Sequence, residues 1–411
     1  MESRSRNGWL AGLAYTVFVL AMAAMLFADP NLGWDTLGYV ASVEQLYSDD
    51  IAVIHARVYE GLRAAADEAD FARLTGAGPF EGEFLKPADI TYRQVVYADP
   101  VAFAQNVSFY SIRPAYWGLA LALSGLGLNL FMATWLISNV SYVLLCLGCF
   151  AFLSQRTTPL YALLGAVPIA LYPPLLSVGG ASNPDAMLAL FFLGFFALFV
   201  ADRVLLACLV LFAAVFVRTD IAVFNGIFAV LLVFRRQPAG SKWVSVALLL
   251  ASVPIATAIH DHFGHLGWAR IFQFALIKYV PYPADLPDNI TTEQYLATLG
   301  DALLQAIRRK WVWITAIAVV ATIALRRLRP WRVTALFRPF ETVGGARPED
   351  VMLVAILLYF VARAILFPAL WPRLYVGQVL VLLLCALALL YEVYGAQMGR
   401  AAAGLRQKVF G

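Results

Sequence analysis

The sequence predicts an all-α polytopic membrane protein of about ten transmembrane helices, with one long polar segment after the first. Three observations predict it. Of 411 residues, 62% are hydrophobic and only 14% charged, against about 25% charged in soluble domains. Several apolar runs approach the ~20 residues that carry a helix across a bilayer. Arginines concentrate in the short links between those runs. Lipid offers backbone groups no partner, so the runs are helices rather than open strands. Residues 1–411 read as a single integral-membrane domain.

The first span runs from about Gly8 to Phe27, behind Arg4 and Arg6, which place the N-terminus in the cytoplasm. Its apolar run is longer than the ~7–15 residues of a signal-peptide core, so a retained anchor is expected. Residues 28–129 form a first outer loop with juxtamembrane helices. From Thr36 to Asp70 its mixed composition suits helices lying on the membrane surface. Gly76 to Pro79 breaks that pattern. The apolar stretch Ala115 to Leu123 is too short to span, opens with Arg113–Pro114 and ends at Gly125 and Gly127. It reads as a juxtamembrane or re-entrant helix; if it spans, the count is eleven.

Span 2 covers about Leu130 to Leu153. Span 3, about Pro159 to Leu176, contains Pro168, Pro173 and Pro174 and should be kinked or broken. Span 4 starts at Pro184–Asp185. Two short spans, Val204 to Val217 and Ile221 to Phe234, meet outside at Arg218–Thr219–Asp220. Arg235, Arg236 and Lys242 mark the cytoplasm. Span 7, about Trp243 to Ile259, leads to a second outer loop over residues 260–310, then span 8, Trp311 to Leu325. Residues 326–350 form a basic cytoplasmic loop. Spans 9 and 10, about Val351 to Leu370 and Leu374 to Tyr391, meet outside at Trp371–Pro372–Arg373. Cys146, Cys149, Cys208 and Cys385 all lie in apolar runs, where core packing rather than a disulfide framework is expected.

With this orientation the polar residues at outer helix ends share one side. They are Asp35, Arg113, Asp185, Arg218, Asp220 and Arg373, with Arg363 about two turns inside span 9. An arginine within a span is costly and usually faces a polar cavity. Its planar, permanently charged fork suits phosphate. Each residue also has a plain structural role open to it. Asp35 suits a helix cap, and Asp185 a first-turn acid stabilised by the macrodipole. Arg218 and Asp220 suit a pair across a turn, and Arg373 an interfacial snorkelling side chain. Arg308–Arg309–Lys310, a basic cluster on the outer side, suits a helix-end anchor. His260, His262 and His265 do not share one helix face; in a loop they are the candidates for a divalent metal, although no fourth ligand has a known spacing. Asn106–Val–Ser108 and Asn289–Ile–Thr291 are outer-side sequons.

The layout resembles the GT-C superfamily of integral-membrane glycosyltransferases, which includes protein O-mannosyltransferases and lipid A aminoarabinose transferases. Asp35-x-x-x-Tyr39 resembles the family's first-loop acid. Ile112–Arg113–Pro114–Ala115–Tyr116–Trp117, followed by Gly127-x-Asn129, resembles its basic segment before a juxtamembrane helix, with arginine for the usual lysine or histidine and alanine for a second proline. Asn183–Pro184–Asp185 resembles the acid opening a mid-chain span. Arg373–Leu374–Tyr375 resembles the late arginine–tyrosine, with one residue inserted. Glu44, Glu81, Glu83 and Asp99 are the candidates for a second first-loop acid.

The resemblance implies inverting sugar transfer from a polyprenyl-phosphate donor to a glycan, lipid or protein acceptor. The setting it implies is the non-cytoplasmic face of a bacterial inner membrane. Asp35 would take the acceptor's proton, and Arg113, Arg218, Arg363 or Arg373 would stabilise charge on the departing phosphate. Tyr39, Asp185, Asp220 and Tyr375 are the accompanying substrate-binding candidates. No cofactor is called for beyond a possible metal, and no nucleic acid. The sequence carries no nucleotide-phosphate loop. The other readings are a polyprenyl-lipid flippase using the same arginines, and a non-catalytic envelope-assembly protein.

Overall fold

The computed structural model describes residues 2–77, 87–235, 239–327 and 347–410. Among these the regular structure is helical, apart from one isolated parallel bridge between Asn31 and Ala181. Four stretches are long and apolar enough to cross a membrane: Gly8–Ala28, Leu130–Ser154, Gly240–His262 and Pro372–Gly395. A fifth is the pair α9 (Pro159–Ala170) and α10 (Pro173–Gly179), bent by 65° at the prolines as the sequence predicts. The protein is therefore embedded in a membrane. Glu81, Glu83, Arg329, Arg332 and Arg338 lie outside the described residues.

Helix α1 (Glu2–Ala28) packs on α8 (Leu130–Ser154) and α9. At the centre stands α11 (Asp185–Val200), against α8, α12 (Val204–Ala213) and α20 (Val376–Phe410). Its phenylalanines interlock edge-to-face with α13 (Ala222–Phe234), as in Phe192–Phe224 at 4.8 Å and Phe195–Phe228 at 4.9 Å. Helices α14 (Ala239–Leu250) and α15 (Ser252–His262) together form one stretch. Helices α18 (Lys310–Arg327) and α19 (Pro348–Leu366) complete the membrane body. Helix α12 with the 3-10 turn after it, Ala214–Phe216, rises only about 20 Å. A bilayer core is about 30 Å thick, so this stretch is shorter than a full crossing.

Five helices fill the segment between α1 and Arg113: α2 (Trp34–Glu44), α3 (Ile51–Ala65), α4 (Glu68–Thr75), α5 (Pro87–Ala98) and α6 (Pro100–Ser111). Asp50, Asp67 and Asp99 accept backbone N–H groups at the starts of α3, α4 and α6. Helix α3 is amphipathic, burying Ile54, Val58, Tyr59 and Leu62 on one stripe. Helix α2 corrects the expectation of a surface helix, because every residue from Thr36 to Val43 is buried. Its small residues allow packing on all sides, against α3, α6, α7 (Pro114–Gly125) and α8. Helix α7 has Pro114 at its first position, as predicted. Its twelve residues rise about 18 Å, too little to cross a bilayer.

The four cysteines are buried and no disulfide joins them. The Asn106 sequon is no modification site in the fold. Asn106 is 2% exposed; its amide donates to Ala102 O and Pro281 O and its carbonyl accepts from Tyr92.

Candidate functional site

The segment after α1 is pinned beside the start of α11, where Asn31 N–H donates to Gly180 O at 2.8 Å. Helix α2 begins three residues later. Its N-cap is Gly33, whose N–H donates to Thr36 Oγ1 at 3.3 Å. Asp35 is thus no cap, and its carboxylate is committed elsewhere. Tyr110 Oη donates to Asp35 Oδ1 at 3.1 Å, and Arg373 forms an ion pair with Oδ2.

Helix α11 starts where Asn183 Oδ1 accepts the N–H of Asp185 at 3.0 Å. That turn presents Asp185 to Arg218, with which it is ion-paired. Arg218 also holds Asp220 through Nε at 3.1 Å and Nη2 at 2.6 Å. Arg363, near the end of α19, pairs with the same Asp220. Arg373 Nε lies 3.7 Å from Asp185 Oδ2. The result is one chain of alternating charge: Asp35, Arg373, Asp185, Arg218, Asp220, Arg363. Its middle is dry, with the Asp185 side chain 4% and that of Arg218 7% exposed, whereas Arg373 is 38% exposed.

These groups line a cavity of about 530 Å³. Its charged lining is three carboxylates and four guanidiniums, an excess of one positive charge. The fourth guanidinium is Arg113, at the link between α6 and α7. It bonds Tyr39 Oη and faces the rings of Tyr39 and Tyr110 at 5.5 and 5.6 Å. No carboxylate of the described residues lies within ion-pair distance of it. Arg113 is the natural place for a ligand anion. The lining also includes the apolar side chains of Trp268, Ile271, Leu366 and Phe367. Trp268 Nε1 donates to Leu366 O at 2.9 Å, tying the second polar loop to the cavity rim.

Burial alone would raise the Asp35 carboxyl. The charges of Arg373 and Arg113 and the bonds from Arg373 and Tyr110 outweigh it and hold it below the usual carboxylate range. Asp35 therefore stays ionised at neutral pH.

Tyr39, Asp185 and Asp220 line the cavity beside Asp35 and the four arginines. Tyr375 does not. Its ring stacks on Trp311 at 5.0 Å and its hydroxyl donates to Ala369 O, because the 3-10 turn Pro372–Tyr375 points it behind Arg363. The three histidines do not converge. His260 and His265 line the cavity with rings 4.5 Å apart, while His262 turns away against Phe263. Two residues apart on one helix, His260 and His262 cannot share a direction. Among the described residues no group of three His, Cys, Asp or Glu side chains has a metal-binding arrangement. Asp99 bonds Tyr282 and Glu44 pairs with Arg57, both away from the cavity.

Sequence reasoning missed Tyr110, which sits one turn before Arg113, and Thr219, which bonds His260 Nε2 at 2.8 Å. Gly38 admits the Tyr110 ring. A Cβ there would stand 2.2 Å from it.

No protein-family model, no curated protein and no solved structure matches this chain.

Proposed function

We propose that this protein is a GT-C-like glycosyltransferase that moves a sugar from a polyprenyl-phosphate donor to an envelope glycan, lipid or protein acceptor. One observation carries the reading. An ionised carboxylate, Asp35, is aimed by Tyr110 and Arg373 into a cavity that also holds an uncompensated guanidinium, Arg113, and an apolar flank. Proton acceptor, anion site and lipid-compatible wall are the three parts such a transfer needs.

In this reading Asp35 takes the proton of the acceptor hydroxyl as its oxygen attacks the anomeric carbon. The bond from that carbon to the phosphate oxygen breaks, and the electron pair leaves on the phosphate. Arg113 and Arg373 stabilise the growing charge. Attack from the face opposite the leaving group inverts the anomeric centre. Asp185, Arg218 and Asp220 hold Arg373 and Arg363 in place, and Tyr39 positions Arg113.

Ten crossings fit the reading: α1, α8, α9–α10, α11, α12, α13, α14–α15, α18, α19 and α20. The cavity then opens on the non-cytoplasmic side. Two sets of exposed tryptophans support the placement as interfacial belts. Trp9 and Trp243 stand at the end away from Asp35, and Trp268, Trp313 and Trp371 at the cavity end.

The test is reconstitution with polyprenyl-phosphate sugars and mass spectrometry of envelope glycans with and without the gene. A lost sugar on deletion and transfer by the purified protein support the reading. Movement of intact donor across vesicles without bond cleavage would replace it with a flippase.

A further inference from the structure

Helix α17 (Thr292–Arg308), in the loop after α15, has three kinds of face. One side packs on protein, where Ala302 is buried and Tyr295 stacks on Phe272 at 5.9 Å. A second carries Gln294, Thr298, Asp301 and Gln305. The third carries Leu296, Leu303, Leu304 and Ile307, each 57–65% exposed. These positions recur at helical spacing, so they form one apolar stripe over three turns. Among the described residues nothing covers it.

The stripe has a neighbour of the same character. Trp313 Nε1 donates to Ile307 O at 2.8 Å, joining α17 to α18. The exposed Trp313, Ile317 and Val320 continue the apolar surface along α18. An apolar helix in a membrane-embedded protein turns such a face to lipid. At the corner between the two helices stand Arg308, Arg309 and Lys310, all exposed and in no ion pair among the described residues.

We infer that α17 lies in the headgroup layer of the leaflet on the cavity side, and that Arg308, Arg309 and Lys310 hold anionic phospholipid there. An amphipathic helix binds a bilayer by immersing its apolar face while its basic residues meet anionic lipid. The stripe is continuous with the lipid-facing surface of α18, and the basic corner is complementary to phosphate. Tyr295 Oη donates to Ile365 O, two residues beyond Arg363. Leaflet contact is thus tied mechanically to the cavity rim. The inference is independent of sugar transfer.

The test uses the full chain in phosphatidylcholine vesicles with and without phosphatidylglycerol. Nitroxide labels are placed singly by Leu303→Cys, Ile307→Cys, Asp301→Cys and Gln305→Cys; the native cysteines are buried and escape labelling. Labels at 303 and 307 should collide with lipid-dissolved oxygen more than with a water-soluble nickel chelate, and those at 301 and 305 the reverse. Phosphatidylglycerol should deepen the label at 307. Arg308→Gln, Arg309→Gln and Lys310→Gln should abolish that response, with anionic-lipid association about fivefold weaker per residue at low salt. Nickel access at 303 and 307 equal to that at 301 would put the helix in water and overturn the inference. Protection from both reagents would show a protein partner or a second copy on the stripe and overturn it equally. An unchanged phosphatidylglycerol response in the triple variant would overturn the anionic-lipid assignment.

Discussion

Arg373 closes an ion pair with Asp35 across 338 residues of chain, and the same guanidinium reaches to within 3.7 Å of Asp185. One side chain thus joins the helix after the first span, the helix at the centre of the bundle and the last long helix. The carboxylate it holds is oriented twice over, since Tyr110 takes Oδ1 while Arg373 takes Oδ2.

Replacing Asp35 by asparagine removes proton acceptance and keeps the shape. The start of α2 is unaffected, because Gly33 and Thr36 cap it. Asp35→Asn should express and insert like the parent, lose only the stability that the Arg373 ion pair supplies, and transfer sugar about 10²–10⁴-fold more slowly. Single-turnover transfer in vesicles measures it; a near-normal rate would remove Asp35 from the reaction.

Arg113 and Arg218 should part company. Arg113 is in no ion pair with a carboxylate of the described residues and acts on Asp35 only at longer range, so Arg113→Ala should cost less thermal stability than Arg218→Ala and weaken donor binding. Arg218→Ala takes a partner from two carboxylates, leaving Asp220 to Arg363 and the 4%-exposed Asp185 with only Arg373 Nε at 3.7 Å. Breaking a buried pair from one side costs about 3–5 kcal/mol, and the midpoint of unfolding in detergent should fall accordingly. At Arg373 a lysine should recover little, since a point charge does not reproduce the two-pronged contact. A stable Arg218→Ala protein would contradict the buried chain of charges.

Tyr110 acts through Asp35, which it aims and helps keep ionised. Tyr110→Phe should lower kcat with little change in KM for the donor. Gly38→Ala drives a methyl group into the Tyr110 ring; overpacking of this kind costs about 1–3 kcal/mol. The same kcat loss plus a stability loss is expected there. Equal kcat in Tyr110→Phe would show that Arg373 suffices to aim the carboxylate.

Asp35 and His265 both contribute to the response to acid. The Asp35 carboxyl is depressed, so its contribution to stability is complete above the ordinary carboxylate value of about 3.9 and is lost as pH falls through its lower folded value. His265 is pushed down to about 4 by burial, then by His260 and Arg113. The unfolded chain binds that proton near pH 6.5 and the folded one does not. Stability should therefore decline on acidification between about 6.5 and 4, by at most about 1.4 kcal/mol per pH unit. Denaturant midpoints across that window should flatten in His265→Asn.

The membrane body was legible because its signals are local. Prolines mark the break between α9 and α10, glycines close α7, and arginines among apolar residues single out Arg218 and Arg363. Buried α2 was not legible, because a helix packed on every side shows no polar face to betray its orientation. Neither was the role of Tyr110, which depends on Gly38 allowing its ring onto α2. Tyr375 misled because adjacency to Arg373 in sequence says nothing of direction after a 3-10 turn. The histidines misled likewise: closeness in the chain set His260 against His265 and sent His262 away.

The alternating charges also govern what the cavity refuses. A guanidinium already holding a carboxylate is not a vacancy for any passing anion. A phosphate entering the cavity would have to compete with Asp35 for Arg373, while at Arg113 no carboxylate of the described residues is in ion-pair range. Free inorganic phosphate brings charge alone to that contest, whereas an anion carried on a hydrocarbon tail adds its contact with the Trp268 and Phe367 wall. On the proposed reading, free phosphate should therefore inhibit far less than a lipid-linked phosphate binds.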